Sequence, residues 1–430
     1  MEIEAPEHTN LVCGLDFGTS NSVISLTDYH TRKEIFTYSV SSILYFPMTV
    51  NNICYVGKDA QNKYVEDGMT GRLLKSIKTL LRQDNFLFTW IGGKKVTPDQ
   101  LVTYIIRHLK EKAENEIGFP LNDVVLGRPA VFSKDPKKEK IAVERLLLAA
   151  HNAGFQNVYL QPEPIAAAYA YEQTLSQEET VLVADFGGGT SDFTIIRLSP
   201  DSACKSQRDG DILAYGGVYI GGDLFDSEIM WHKVTPQLGR GVLHQSYDKQ
   251  IEVPSTLYRE LRNWERSFLL KDSKARRSMD GYYTFSGNDS RINNVRILVD
   301  NNYVYSLFRN IEKAKIDLST IPQTSIRFSK QTIHIDEPLD FKEFSVIIAK
   351  HCVEIKQYIV HLLQSVGYCN TDIDSVFLTG GSSLAIPIQD TLHELFGKDK
   401  VRQGDIFHSV AYGLSLSCKG SKCSEKCQRL

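Results

Sequence analysis

The chain has 430 residues, 42% hydrophobic and 23% charged, and its 49 basic and 52 acidic side chains give a formal net charge of −3. At about 150 residues per domain this is a folded chain of two or three domains, which excludes a largely disordered one. The near-neutral charge excludes a duplex-wrapping nucleic-acid binder, and no apolar run approaches the ~18 residues of a spanning helix, so neither nucleic acid nor membrane is an expected partner.

The chain opens Met1-Glu2-Ile3-Glu4, without the basic start and apolar run of a secretory signal. Eight cysteines are too sparse for a disulfide scaffold, so the expected setting is a reducing cytoplasm. Leu11-Val12-Cys13-Gly14-Leu15-Asp16-Phe17-Gly18-Thr19-Ser20-Asn21, followed by Ser22-Val23-Ile24-Ser25-Leu26, reads as strand, glycine turn, strand. Gln100 to Ile117 reads as an amphipathic helix with Leu101, Ile105, Ile106, Leu109 and Ala113 on one face, and Pro136 to Gly154 as another. Thr174 to Glu179 is a polar junction.

The opening pattern then returns. Val181-Leu182-Val183-Ala184-Asp185-Phe186-Gly187-Gly188-Gly189-Thr190-Ser191-Asp192 and the Ile-rich run after it again read as strand, Asp-Phe-Gly turn, strand. One duplication implies two related lobes, the first starting near Asn10 and the second opening at Val181. Pro236 to Val304 shows the least regular pattern, Phe341 to Val366 reads as a helix, and Ser417 onward as a polar, mobile tail.

The paired turns carry the strongest chemical signal. Glycine lets backbone approach a ligand without a Cβ, and successive N–H groups in such a turn form an anion-binding nest. Thr19, Thr190 and Ser191 add hydroxyl donors. Phosphate beside two carboxylates, Asp16 and Asp185, requires a cation between them, and Mg²⁺ suits oxygen ligands and phosphate. A single turn would read as a structural hairpin; the pair favours phosphate binding. A third glycine site, Thr379-Gly380-Gly381-Ser382, follows a strand-like run and precedes a helical one from Pro387 to Leu395. Neither a Walker-type loop nor a dinucleotide fingerprint is present.

Taken together these motifs resemble the ATPase domain of the 70-kDa heat-shock (DnaK-like) chaperones, within the actin-like ATPase superfamily. Residues 14–22 resemble the first phosphate loop and residues 185–192 the second. Pro162-Glu163-Pro164-Ile165-Ala166-Ala167-Ala168 resembles the connecting helix, Gly221-Gly222-Asp223 the entry to the second insert, Ile311 to Ser319 the adenosine-contacting helix, and Gly380-Gly381-Ser382 the adenosine loop. The ending, residues 404–414, resembles that of the short YegD-type bacterial members. The resemblance implies an α/β, two-lobed, duplicated ribonuclease-H-like fold with an inserted subdomain in each lobe. The first lobe would span 10–177 with an insert at about 40–118, and the second 178–417 with an insert at about 223–338. A last helix, 406–417, would pack back on the first lobe, leaving a tail at 418–430.

The resemblance also assigns roles. Asp16 and Asp185 would hold hydrated Mg²⁺, with ATP or ADP as the nucleotide. Thr19, Ser20, Gly188, Gly189 and Thr190 would cradle the phosphates, with Gly18, Asn21 and Gly187 in the same loops. Glu163 and Asp192 would orient the attacking water, and Thr190 would assist. Lys78 would reach the γ-phosphate, with Lys75 the alternative. Gly221, Gly222, Asp223, Glu312, Lys315, Ser319, Gly380, Gly381 and Ser382 would contact the rest of the nucleotide. Glu163 also has a plainer reading, as an acidic residue at a helix start. The chain departs from the family at Ile316, where an arginine stacks on adenine; losing that contact costs about 1 kcal/mol. It also stops near the point where the family continues into a peptide-binding domain. The tail cysteines Cys418, Cys423 and Cys427 lack the spacing of a closed zinc site. The expected function is slow ATP hydrolysis with lobe closure read by a protein partner. The alternatives are a nucleotide sensor or scaffold without turnover, and a small-molecule kinase.

Overall fold

Two five-stranded mixed sheets frame the computed structural model, which describes residues 10–48, 53–200, 210–404 and 408–417. In the first, Leu11–Phe17 pairs antiparallel with Asn21–Asp28, which pairs with Glu34–Ser41. On its other side Leu11–Phe17 lies parallel to Asp123–Arg128, and that strand parallel to Asn157–Pro162. In the second, Glu179–Phe186 pairs antiparallel with Ser191–Leu198, which pairs with Ile212–Val218. Its parallel neighbours are Ser375–Thr379 and then Val401–Gln403. Counted within each half, both sheets run third, second, first, fourth, fifth, so the sequence repeat is a repeat of topology. The lobes are α/β, and each sheet's parallel strands are joined through helices, as parallel crossovers require.

Local sequence sets the helix boundaries. Pro98–Ile117 starts with proline in its first turn and a Thr97/Gln100 capping box, and stops at Gly118 in the left-handed region, φ 81°. Phe341–Ser365 opens on an Asp340/Glu343 capping box. With Pro136–Asn152 and Ile386–Phe396, these helices match the periodicity reading to within two residues. The region of least regular pattern, 236–304, is built of short elements, among them the 3₁₀ helices Glu260–Arg262 and Trp264–Lys271. It holds a hairpin, Leu243–Ser246 with Lys249–Glu252, and the helices Ser273–Phe285 and Ser290–Asp300. Asp272 and Asp289 cap those helices, and only a narrow stripe, Ile292, Val295, Leu298 and Val299, is buried in the second. So narrow a stripe among polar residues gives weak periodicity. The acidic N-terminus, residues 406 and 407 of the expected last helix, and the cysteine-bearing tail lie outside the described residues. Among the described residues no helix is long and apolar enough to cross a membrane.

Each sheet has its own apolar core, and a third cluster joins them. Its centre is the helix Glu163–Glu172, whose Ala166, Ala167 and Ala168 are fully buried between Val125 of the first sheet and Val181 and Val183 of the second. The helix Ser409–Leu416 packs on it and on the first hairpin. Thr27 Oγ1 meets Ser415 Oγ at 2.5 Å, and the Tyr412 hydroxyl donates to the Arg32 carbonyl at 2.9 Å. The approach is closest at Gly413, where an added Cβ would sit 1.7 Å from the Ala166 carbonyl oxygen. Gly413→Ala must therefore force the helices apart, and we expect it to lower stability by about 1–3 kcal/mol. Chemical denaturation followed by circular dichroism measures this; an unchanged midpoint would mean that the last helix does not dock as described.

Candidate functional site

Both central hairpins end in glycine turns at the interface between lobes. In the second turn the Gly187 N–H donates to the Thr190 carbonyl at 2.9 Å. The carbonyls of Gly187 and Gly188 accept N–H bonds from Gly222 and Asp223 at 3.1 and 2.8 Å, and the Ser382 hydroxyl adds a 2.9 Å bond to Gly187. In the first turn the Gly18 carbonyl accepts from the Ser42 hydroxyl at 2.7 Å. The turns nearly touch: a Cβ on Gly188 would lie 2.2 Å from Ser20 Oγ. Gly380, at φ 78°, passes so close behind Asp185 that a Cβ would lie 2.4 Å from its Oδ1. Glycine is required there by both backbone angle and space.

Register places the acidic groups. Asp16 lies opposite Val23, whereas Asp185 lies opposite Asp192. Glu163 begins its helix directly after Pro162, and its Oε1 lies 2.6 Å from the Lys78 ammonium. Glu163, Asp185, Asp192 and Lys78 are all buried. Asp16 is partly buried, yet its Oδ1 is shielded from water and has no hydrogen-bond partner. Four carboxyl groups thus converge on one ammonium. Burial, then Glu163, pushes the Asp16 carboxyl up to about 7; burial with the surrounding carboxylates pushes Asp185 well above the usual range. Burial opposes the Lys78 charge, but Glu163 and Asp16 outweigh it and raise its pKa. The shielded Asp16 oxygen and the surplus of hard oxygen donors fit a divalent cation. Among the described residues no group of three metal-ligating side chains is close enough to hold an ion.

The cleft beside this cluster has a volume of about 240 Å³. Its floor is Asp16, Lys78, Glu163 and Asp185, with Gly18, Thr19, Ser20 and Asn21 on one side and Gly187, Gly188 and Thr190 on the other. Gly222, Asp223, Gly380, Gly381 and Ser382 form the second-lobe wall, and Glu312, Lys315 and Ser319 reach it from Val304–Asp317 and the turn after it. Three expected residues lie outside this wall. Gly189 faces an adjoining cavity, Gly221 sits behind Gly188, and Asp192 faces a separate cavity that shares Thr190. Asp192 accepts the Ala130 N–H at 3.2 Å. Several wall residues are engaged within the protein. The Lys75 ammonium lies 3.3 Å from Glu312 and 3.8 Å from Asp223, the Ser76 hydroxyl donates to Asp223 at 2.8 Å, and Lys315 pairs with Asp226 at 2.8 Å. Ile316 lies on the wall at 57% exposure.

The motif reading missed Val23, Phe225, Leu384, Ala385 and Val410 on the wall. Strand register alone would have found Val23. Ser42, which braces Gly18, carries no sequence signal.

Asp192 offers a test of these electrostatics. Burial, then Glu163, pushes its carboxyl up to about 7. In the unfolded chain an aspartate ionises near ~3.9. The folded state therefore binds this proton more tightly, and its contribution to stability is lost as pH rises from about 4 to 7. In nucleotide-free protein, Asp192→Asn should raise the urea midpoint at pH about 8 and change it little at about 4. Midpoints that track the parent at both pH values would show that Asp192 ionises in the fold without penalty.

The Hsp70 family model, described as Hsp70 protein, matches residues 48–240 and 288–428. The chain is 24% identical to a chaperone protein DnaK of Thermus thermophilus, over 94% of this chain and 60% of that protein. It is 26% identical to chaperone protein DnaK of Thermosipho africanus, over 94% of this chain and 58% of that one. The chain thus spans about three fifths of the length of these curated relatives. With that match over most of its length, two lobes of one topology and paired glycine turns across a carboxylate-lined cleft, the chain belongs to the Hsp70 family.

Proposed function

We propose that the chain binds Mg·ATP between its lobes, hydrolyses it slowly, and passes the state of lobe closure to a protein partner in a chaperone-like role. The observation that carries this is the convergence of Asp16, Glu163, Asp185 and Asp192 on Lys78 beside two glycine turns. Asp16 and Asp185 would hold the hydrated ion. Thr19, Ser20, Gly188, Gly189 and Thr190 would receive the β- and γ-phosphates through backbone N–H and hydroxyl donors. Bound there, magnesium would offset phosphate charge that the carboxylates would otherwise repel.

Phosphoryl transfer depends on positioning and electrostatic stabilisation. Lys78, held by Glu163 and with its pKa raised, would present its ammonium to the end of the phosphate chain. Glu163 on the cleft and Asp192 on the neighbouring cavity would orient the attacking water, and Thr190 lines both cavities. Glu312, Lys315, Ser319 and the Gly380-Gly381-Ser382 loop would take the nucleoside. Ile316 favours a second reading, a nucleotide sensor without significant turnover, because an aliphatic side chain offers adenine no cation–π partner. Hinge closure on a ligand serves either reading as a signal.

Steady-state phosphate release from Mg·ATP decides between them. Lys78→Ala should lower turnover by on the order of 10²-fold, and Thr190→Val should abolish most of it. Loss of turnover in Lys75→Ala but not in Lys78→Ala would reassign the lysine. A folded wild type that binds nucleotide without turnover would establish the sensor reading. Asp185→Ala should weaken nucleotide binding in the presence of magnesium and leave the weaker magnesium-free binding nearly unchanged, as read by calorimetric titration. Equal affinities with and without magnesium in the wild type would count against the assigned ion ligands.

A further inference from the structure

Lys78 is carried by a single short 3₁₀ helix, Ile77–Arg82, and both lobes hold it. From the first lobe, the Arg145 guanidinium donates to the carbonyls of Leu80, Leu81, Gln83 and Phe86 at 3.1, 3.0, 2.9 and 3.1 Å. From the second lobe, Asp223 and Glu312 hold the entry: Ser76, in the left-handed region at φ 55°, bonds Asp223, and Lys75 pairs with Glu312. At the exit the Arg82 guanidinium lies 3.9 Å from the centre of the Tyr219 ring. So short a 3₁₀ helix has little stability of its own, and its placement depends on these contacts.

Tyr219 makes a second contact across the lobes. Its hydroxyl donates to the Phe132 carbonyl at 2.9 Å. Phe132 lies two residues after Ala130, whose N–H donates to Asp192. The backbone around Tyr219 is rigid, because Val218 pairs with Ser191 and the Ser191 hydroxyl donates to the Ile220 carbonyl at 2.7 Å. One second-lobe side chain therefore touches the helix that bears Lys78 with its ring, and the loop that braces Asp192 with its hydroxyl.

We infer that Tyr219 is a positioning residue for hydrolysis. Through Arg82 it sets the Lys78 helix against the second lobe, and through Phe132 it sets the loop behind Asp192, so both groups are in place only when the lobes are closed. Tyr219 is 42% exposed and stands outside the nucleotide cleft wall; it lines the separate cavity of Asp192 and Thr190, so it bears on the groups around that cavity and not on the nucleotide. The inference rests on the ATPase reading. Displacing a reacting group by about 1 Å can cost on the order of 10²-fold in rate, so a contact of modest strength suffices.

The test is single-turnover hydrolysis of pre-bound Mg·ATP by the full chain, with nucleotide Kd measured separately. Tyr219→Ala and Arg82→Ala should each slow hydrolysis about 5–30-fold while Kd changes by less than about 3-fold. The double variant should be no slower than the slower single one, because both remove the same ring contact. Tyr219→Phe, which keeps the ring and the fold, should lose less than Tyr219→Ala, and Arg82→Lys should recover part of the loss. Wild-type rates in Tyr219→Ala would overturn the inference. So would losses that multiply in the double variant, or a Kd that weakens by the same factor as the rate. Lys78→Ala run alongside separates the two levels. Turnover abolished by Lys78→Ala but unaffected by Tyr219→Ala removes only the positioning role, whereas a wild type without turnover overturns both.

Discussion

Four carboxyl groups share one ammonium at the centre of this protein, and much of the surrounding structure answers that imbalance. Burial, Glu163 and mutual repulsion raise the pKa values of Asp16, Asp185 and Asp192, which face Lys78. A fold that retains such a cluster bears a standing electrostatic cost. A divalent cation held there would remove that cost, and a phosphate accompanying it would need donors that bring no further negative charge. The two glycine turns offer such donors as backbone N–H groups and hydroxyls. The close passage of Gly380 behind Asp185, and of Gly188 against Ser20, leaves no room for side chains that would block them.

The two lobes use one topology for different ends. In both, an aspartate is the last residue but one of the first strand and a glycine turn follows. Across the hairpin, however, Asp16 faces Val23 and Asp185 faces Asp192. The second lobe therefore brings two carboxylates where the first brings one, and the first supplies Lys78 and Glu163 from outside its repeat. Joining the halves demands close backbone approach. The alanines of Glu163–Glu172 and Gly413 of the last helix allow it, and this packing fixes Glu163 at the end of a helix pinned between both sheets.

Several features were legible because they depend on neighbours in sequence. The repeated Asp-Phe-Gly turns, the apolar face of Pro98–Ile117, and Glu163 following Pro162 are local patterns with local physical causes. The helices between 273 and 300 were not legible, because their narrow buried stripe is interrupted by polar and charged residues that face solvent. The lysines show the limit most clearly. Lys75 and Lys78 lie three positions apart in one segment, and nothing local separates them. In the fold Lys75 turns to Glu312 and Asp223 across the lobes, while Lys78 turns to Glu163.

The sequence by itself determined the duplicated α/β architecture, the two glycine turns and the acidic groups beside them, since each is written in contiguous residues whose backbone preferences need no distant partner. Tertiary structure alone decided which lysine meets Glu163, that Asp192 stands in a cavity of its own with Thr190, and that Arg82 lies over Tyr219. Those outcomes join residues far apart in the chain, and they follow from strand register and the docking of one lobe on the other, which local sequence does not encode.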